Sequence, residues 1–309
     1  MYYRKFNDYL KEKYGGRIQK IAIDAGFTCP NRDGSKASGG CTFCNNESFS
    51  PYAMTKQTVK DQIEKSMEFY KNKFKNIKGF LAYFQAFTNT YAPVEKLREV
   101  YDQAMSYPEI IGMSIGTRPD CVPEEVLDLI ASYTVEKPEI WIEYGLQTAH
   151  YKTLKKINRA HGVSEFVDAV LRTKKRSSIK ICVHVILGLP GEDYDDMMET
   201  AKLIAALPID GIKIHPLHIV KHTAMEKQYY RGEIKELDMK EYAKLAVDFL
   251  SYLPKDIIVH RITGEATEDE LIAPYWCSSK YKMEVLKAIE EEFQRRERLE
   301  RLSLKVEVL

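Results

Sequence analysis

Six short, nearly continuous apolar segments recur between residues 18 and 219, and this rhythm restricts the fold more than any other feature of the chain. They are IQKIAID (18–24), GFLAYFQ (79–85), EIIGMSIG (109–116), EIWIEYGLQ (139–147), KICVHVILGL (180–189) and DGIKIHPLHI (210–219). Each is rich in β-branched or aromatic residues and has little of the alternation of a strand with one wet face. Each therefore reads as a parallel strand covered on both sides. Helical patterns stand between them at 58–74, 94–105, 123–135 and 192–207, with Pro93 and Pro123 where a first turn accepts proline. Six β-α repeats predict an α/β fold, a partial (β/α)6 barrel of the TIM type, whose active site gathers at the C-terminal ends of its strands. Beyond residue 222 the rhythm changes to a helix (238–252), a short strand (256–262), an irregular stretch and a charged final helix (279–301). The expected plan is a core of residues 1–222 and a C-terminal α/β extension of residues 223–309 packing on it.

A chain of 309 residues, 44% apolar, can bury one large core. Its 46 basic and 45 acidic side chains leave a net charge of +1, so no global basic field advertises nucleic acid. Phosphate contacts would have to come from local runs such as 71–78, 155–159 and 174–180. No apolar run approaches the ~20 residues needed to cross a bilayer, and the charged, aromatic N-terminus is unlike a secretion signal. Six cysteines, three of them in one loop, do not resemble a disulfide framework. A reducing, cytoplasmic setting with no membrane partner is the simplest expectation.

The three clustered cysteines, Cys29, Cys41 and Cys44, sit in GFTCPNRDGSKASGGCTFC, directly after the first strand and so on the functional rim. Soft thiolates of this kind hold zinc or iron–sulfur clusters. A closed zinc site needs four protein ligands, and the nearest candidates for a fourth, Cys121 and His150, lie several elements away. An iron–sulfur cube on three cysteines instead leaves one iron open. Glycines 34, 39 and 40 permit the turns that aim three thiols at one place.

This loop resembles the cluster loop of the radical S-adenosylmethionine (SAM) enzymes, in which three cysteines bind a [4Fe–4S] cluster and SAM chelates the open iron. The usual spacing there is C-x3-C-x2-C, whereas eleven residues separate Cys29 from Cys41 here. That long gap, in DAGFTCPNRDG…GGCTFC, is similar to the YhcC/YtqA-like, Elongator-related subgroup. The resemblance continues through TRPDC, EYGLQTAHYKTLKKINRAHG, GLPGE and HRITGEATEDELIAPYWCSSK, roughly residues 5–285. It implies reductive cleavage of SAM to a 5′-deoxyadenosyl radical, with electrons from a donor such as flavodoxin or ferredoxin. It also implies site roles. Phe43 takes the aromatic place that shields the cluster and meets the adenine. Gln85, Ala86 and Phe87 stand where relatives carry glycines that hold the SAM amino group, and the polar run that follows, Thr88, Asn89 and Thr90, fits a binding role at the strand's end. Gln147 falls on a residue that hydrogen-bonds SAM, and Arg159 on the partner of its carboxylate, a bidentate task suited to guanidinium. His161 would fix that loop. His184 replaces an aspartate that contacts the ribose, and Leu217 would pack on adenine.

The Elongator kinship implies work on tRNA, most concretely on the C5 side chain of the wobble uridine. The alternatives are a radical SAM enzyme acting on a small-molecule or porphyrin-type substrate, or a cluster-bearing binding or electron-transfer protein. Substrate candidates from segments expected on the rim are Arg118, Lys221, Arg261 and Trp276, with Tyr275 beside them. Arg118 and Asp120 could equally tie two loops together. Cys277 is the one candidate for a catalytic hydrogen-atom donor or covalent acceptor. His215, His218 and His222 invite a second-metal reading, but their spacing favours a rim cluster or substrate patch.

Overall fold

All six expected strands form, each parallel to the next, in a computed structural model that describes residues 2–45, 57–85, 87–176 and 178–306. The chain opens with β1 (Arg4–Lys5) and α1 (Phe6–Tyr14). There follow β2 (Arg17–Ile23), α2 (Val59–Lys73), β3 (Ile77–Phe84), α3 (Val94–Met105), β4 (Ile110–Thr117), α4 (Glu124–Ser132) and β5 (Glu139–Gln147). Two helices, α5 (Tyr151–Lys156) and α6 (Val163–Lys174), lead to β6 (Lys180–Leu187), α7 (Tyr194–Ala205) and β7 (Gly211–Pro216). The C-terminal part holds β8 (Ile219–Val220), α8 (Ala224–Tyr230), α9 (Met239–Tyr252), β9 (Ile258–Arg261), β10 (Leu271–Ala273) and α10 (Lys282–Val306).

The main sheet has eight strands in the order β1-β9-β7-β6-β5-β4-β3-β2, all paired in parallel, and curls into a half-barrel. Sequence periodicity reveals six of these strands as a series. The other two join from the ends of the chain: β9 pairs with β7, and the two-residue β1, too short to carry a period, pairs with β9. The strand expected at 256–262 is thus the barrel's seventh parallel member, and the sheet itself spans core and extension. A separate antiparallel pair, β8 with β10, stands beside it.

Hydrophobic patterning decides which side of the sheet the helices cover. Ile21, Ala82, Met113 and Ile140 are register partners across β2 to β5, and all four are fully buried in the main core. Capping boxes start several of the covering helices: Thr58 with Asp61 on α2, Asp193 with Asp196 on α7, and Asp238 with Glu241 on α9. The inner face is filled differently at its two ends. At the N-terminal end, Phe6 and Leu10 of α1 insert against Ile18, Leu81, Trp141, Cys182 and Ile258. Tyr9 Oη and Lys13 Nζ donate to Glu139 Oε1 at 2.9 and 2.6 Å, and Trp141 Nε1 donates to Oε2 at 2.8 Å, tying this plug to β5. Among the described residues no helix is long and apolar enough to cross a membrane.

Close strand approach is set by glycine at one point. A Cβ built on Gly112 of β4 would lie 2.1 Å from the Glu139 carbonyl oxygen of β5, where backbone cannot give way. Gly112→Ala is therefore expected to lower stability by about 3 kcal/mol, read as a lower urea midpoint. An unchanged midpoint would refute this pairing of β4 with β5.

Candidate active site

Parallel strands buried on both faces should be apolar throughout, yet each of β2 to β7 contributes a polar residue to one layer on the inner face. These are Lys20, Tyr83, Ser114, Glu143, His184 and Lys213, and they meet around Glu143. Its carboxylate has no exposure. Ser114 Oγ and Lys213 Nζ both donate to it, and Lys20 Nζ lies 3.6 Å away. His184 Nε2 is 2.7 Å from Oε2, and Lys213 also donates to Tyr83 Oη at 2.9 Å. Burial alone would raise the Glu143 pKa, but Lys213, Lys20 and the His184 hydrogen bond hold it well below the usual carboxylate range. Burial lowers Lys20 to about 8, with Lys213 adding to the effect, while Tyr83 is raised by burial and by Glu143 to about 12. His184 is lowered to about 4, chiefly by burial and by Lys213, so its imidazole is neutral at pH 7.

Above this layer, at the C-terminal strand ends, lie two adjoining cavities. The smaller, of about 200 Å³, is lined by Cys29, Cys41 and Cys44 together with Arg32, Arg159 and Thr88. The larger, of about 430 Å³, extends over Lys213, His215, Leu217 and Arg261. Phe43, Tyr83, Gln85, Gln147 and His184 border both.

Long-range hydrogen bonds hold the cysteine loop. Asn158 Nδ2 donates to Ser38 O and Gly40 O at 3.0 and 2.7 Å, Thr42 N–H donates to Ile157 O at 2.9 Å, and Asn31 Nδ2 donates to Asn158 O. Arg118, 2% exposed, forks onto Asp120 with two 2.9 Å bonds and donates onward to the carbonyls of Arg159 and Ala160. Against the burial that would raise it, this fork holds Asp120 down at about 2.

Arg159 itself is flanked by two residues in the left-handed region, Asn158 (φ 51°) and Ala160 (φ 57°), and Gln147 at the end of β5 has φ 77°. Such outliers persist only where surrounding structure enforces them. They turn the Arg159 guanidinium along β5, where Nη2 and Nε donate to Gly145 O at 2.6 and 3.2 Å and Nη1 stands 3.5 Å from Cys41 Sγ. Gly145 leaves room for this arrangement, since a Cβ would sit 2.6 Å from Arg159 Nη2 and 2.7 Å from Gln147 Nε2 and would push both side chains aside.

These residues suit an iron–sulfur cluster. Three soft thiols line one cavity, and Arg32 and Arg159 supply positive charge beside them. Buried Asn31 Oδ1 has no partner among the described residues, and the Nδ2 of the same side chain lies 3.5 Å from Cys41 Sγ. Burial and the neighbouring Cys41 push the Cys44 thiol up to about 11, so a ligand that binds thiolate must displace a proton.

A model of the radical SAM superfamily matches residues 29–204, and one of its C-terminal domain matches residues 209–295. The chain belongs to the radical SAM superfamily. The protein YtqA of Bacillus subtilis is 44% identical over 298 residues, 95% of this chain and 90% of that one. A tRNA uridine(34) acetyltransferase of Methanocaldococcus jannaschii is 26% identical over 155 residues, 49% of this chain and 28% of the archaeal one. In fold, the chain is similar to Elp3 of Methanocaldococcus infernus (TM-score 0.57, 18% identity), covering 89% of itself and 63% of that chain. It is a radical SAM enzyme, and a [4Fe–4S] cluster and SAM are its cofactors.

The cluster and SAM candidates named from the sequence, Cys29, Cys41, Cys44, Phe43, Gln85, Thr88, Gln147, Arg159, His184 and Leu217, all line one or both cavities. Ala86 lies outside the described residues. The substrate candidates do not gather. Arg261 opens on the larger cavity and Arg118 borders the smaller, but Arg118 has its donors committed to Asp120 and the 159–160 turn. Trp276 is 2% exposed, packs on Tyr242 and donates Nε1 to Leu237 O, so it belongs to the core and not the rim. Cys277 is fully buried in that core, its thiol pushed up by burial. Lys221 and Tyr275 are exposed and line neither cavity. Lys20, Tyr83, Lys213 and Gly145 were missed. The legible signal was a charged residue in the middle of an otherwise apolar parallel strand, as in IQKIAID and GIKIHP.

The neutral His184 makes stability depend on pH. Between about 4, its folded value, and about 6.5, the ordinary one, the unfolded chain binds a proton that the folded chain refuses. Stability is therefore full above the upper value and falls as pH drops through this window, by up to about 1.4 kcal/mol per pH unit for one such imidazole. His215 and His260, also lowered by burial, act in the same direction. The urea midpoint of the apo-protein should fall between pH 7 and pH 5, and His184→Asn should make that fall shallower. A flat midpoint across this range would contradict the neutral buried histidines.

Proposed function

We propose that Cys29, Cys41 and Cys44 hold the cluster, that Arg159 and Gln147 hold SAM, and that the enzyme modifies the C5 side chain of a tRNA wobble uridine. The observation that carries the site assignment is the presence of the three thiols and the Arg159 guanidinium in one cavity at the strand ends. Bound together, cluster and SAM supply a 5′-deoxyadenosyl radical that takes a hydrogen atom from an unreactive carbon. The chain's own residues position and shield. The free N–H groups of Arg159 meet the SAM carboxylate as a fork, Phe43 covers the cavity boundary, and the Glu143 layer gives both cavities a rigid floor. A flavodoxin- or ferredoxin-type donor supplies the electron.

The tRNA part of the reading is supported by the similarity to the archaeal tRNA uridine(34) acetyltransferase. A cavity of about 430 Å³ suits one unstacked nucleoside, with the rest of the RNA outside. A free small molecule is the second reading, favoured by the scatter of Lys221 and Trp276 away from the cavity.

Three measurements check this. Alanine at Cys29, Cys41 and Cys44 together should abolish bound iron and the brown absorbance, while Cys121→Ala and Cys182→Ala keep both; a triple variant retaining its iron refutes the ligand set. Arg159→Ala should weaken SAM binding roughly ten- to hundredfold, with Arg159→Lys only partly restoring it. If Arg159→Ala holds its cluster and binds SAM like the parent, the carboxylate partner lies elsewhere. Nucleoside profiling of tRNA from a deletion strain should show a C5-modified uridine lost or replaced by its precursor. An unchanged profile gives the small-molecule reading precedence.

A further inference from the structure

The larger cavity carries more positive charge than SAM can use. Lys20 and Lys213 flank Glu143, one carboxylate for two ammonium groups. Lys213 is the register partner of Arg261 across β7 and β9, and both side chains line the cavity. Among the described residues the Arg261 guanidinium makes no hydrogen bond or ion pair, and the residue is exposed at the cavity mouth. Glu265, the one acidic residue of the larger cavity's described lining, is engaged by Lys282 Nζ at 2.9 Å. His184 and His215 on the same wall are neutral, lowered first by burial and further by Arg261 and Lys213. SAM has a single anionic group, its carboxylate, which Arg159 takes in the reading above. Its adenosine is neutral, and its sulfonium and amino group are cations. Arg261 and Lys213 therefore have no counterpart on the cofactor.

We propose that the substrate is anchored in the larger cavity by an anionic group, a carboxylate or a phosphate, seated between Arg261 and Lys213. This deepens the reading above, because it names the chemical class that the same site selects, and it rests on that reading for the place of SAM. Arg261 offers an unspent planar fork at the mouth, and Lys213 offers charge from the floor. Glu143, held between Lys213, Lys20 and His184, keeps the lysine in place and stops the ligand's charge from being met by a mobile ammonium. A phosphate would belong to the nucleotide backbone. A carboxylate would belong to the reacting part of the substrate.

The test uses anaerobically reconstituted enzyme with cluster and SAM bound. Two pairs of probes are titrated calorimetrically: uridine 5′-monophosphate against uridine, and uracil-5-carboxylate against uracil. One anionic member should bind at least about tenfold tighter than its neutral partner, as expected for a charge-assisted bond. That advantage should vanish in Arg261→Gln and be partly kept in Arg261→Lys. Preference for the monophosphate identifies a backbone phosphate, and preference for the carboxylate identifies a substrate carboxylate. The proposal is overturned if neither anion outbinds its neutral partner in the parent enzyme at millimolar concentration. It is also overturned if the advantage survives in Arg261→Gln. The parent comparison needs no variant to fold. Neither outcome depends on tRNA profiling, so the anion site and the tRNA reading stand or fall separately.

Discussion

A carboxylate with no access to water stands at the centre of this barrel, and the rest of the site depends on how it is neutralised. Removing an ion of that size from water costs several kcal/mol, a cost offset only when strong partners saturate it. Glu143 obtains those partners from four other strands: Lys20 of β2, Ser114 of β4, His184 of β6 and Lys213 of β7. The consequence is mechanical as well as electrostatic. Strands of an open half-barrel can splay apart, but five of these are cross-linked through one side chain at mid-height. The cavities at the strand ends sit on that cross-link.

The polar layer also divides the interior. Below it, Phe6, Leu10 and Trp141 make a dry plug, and Phe6 stacks on His260 with ring centroids 3.8 Å apart. Above it, polar and cationic side chains line open space. Cofactor chemistry that must avoid bulk water thus has a sealed end and an accessible end. The cysteine loop is secured from the side, through Asn158 and the carbonyls around Arg159, which Arg118 grips in turn. Arg118, readable from its sequence as a substrate contact or as a tie between loops, is spent as the tie.

What the sequence disclosed follows from which signals are local. Strand periodicity exposed β2 to β7 because each is long enough to show its apolar run, and the cysteine loop was visible because thiols at that spacing have few other uses. The two-residue β1 has no period to read. Its place is fixed by tertiary pairing with β9, at register Arg4 to Ile258. Trp276 and Tyr275 were expected on the rim because their segment resembles the C-terminal segment of the Elongator-related subgroup, which lies against the barrel mouth. The structure turns Trp276 inward against Tyr242, a choice made by packing partners more than twenty residues away that no local pattern encodes. Lys20 and Lys213 could have been read, since a lysine in a doubly covered strand demands a buried counter-charge, and Glu143 on β5 was the obvious one.

The pairing of β1 with β9 also orders events in time. The first strand made during synthesis has its partner at Ile258–Val259, so it waits while most of the chain emerges. Contacts so distant in sequence form late, because their loop-closure entropy must be met before they contribute. Until then, α1 lacks the Ile258 part of its socket, although Ile18 and Leu81 are already there to receive Phe6 and Leu10. The plug beneath the active site is therefore completed only by the last parallel strand of the sheet. A chain stopped short of β9 would carry every cysteine of the loop and every strand around Glu143, yet have a barrel left open at its base.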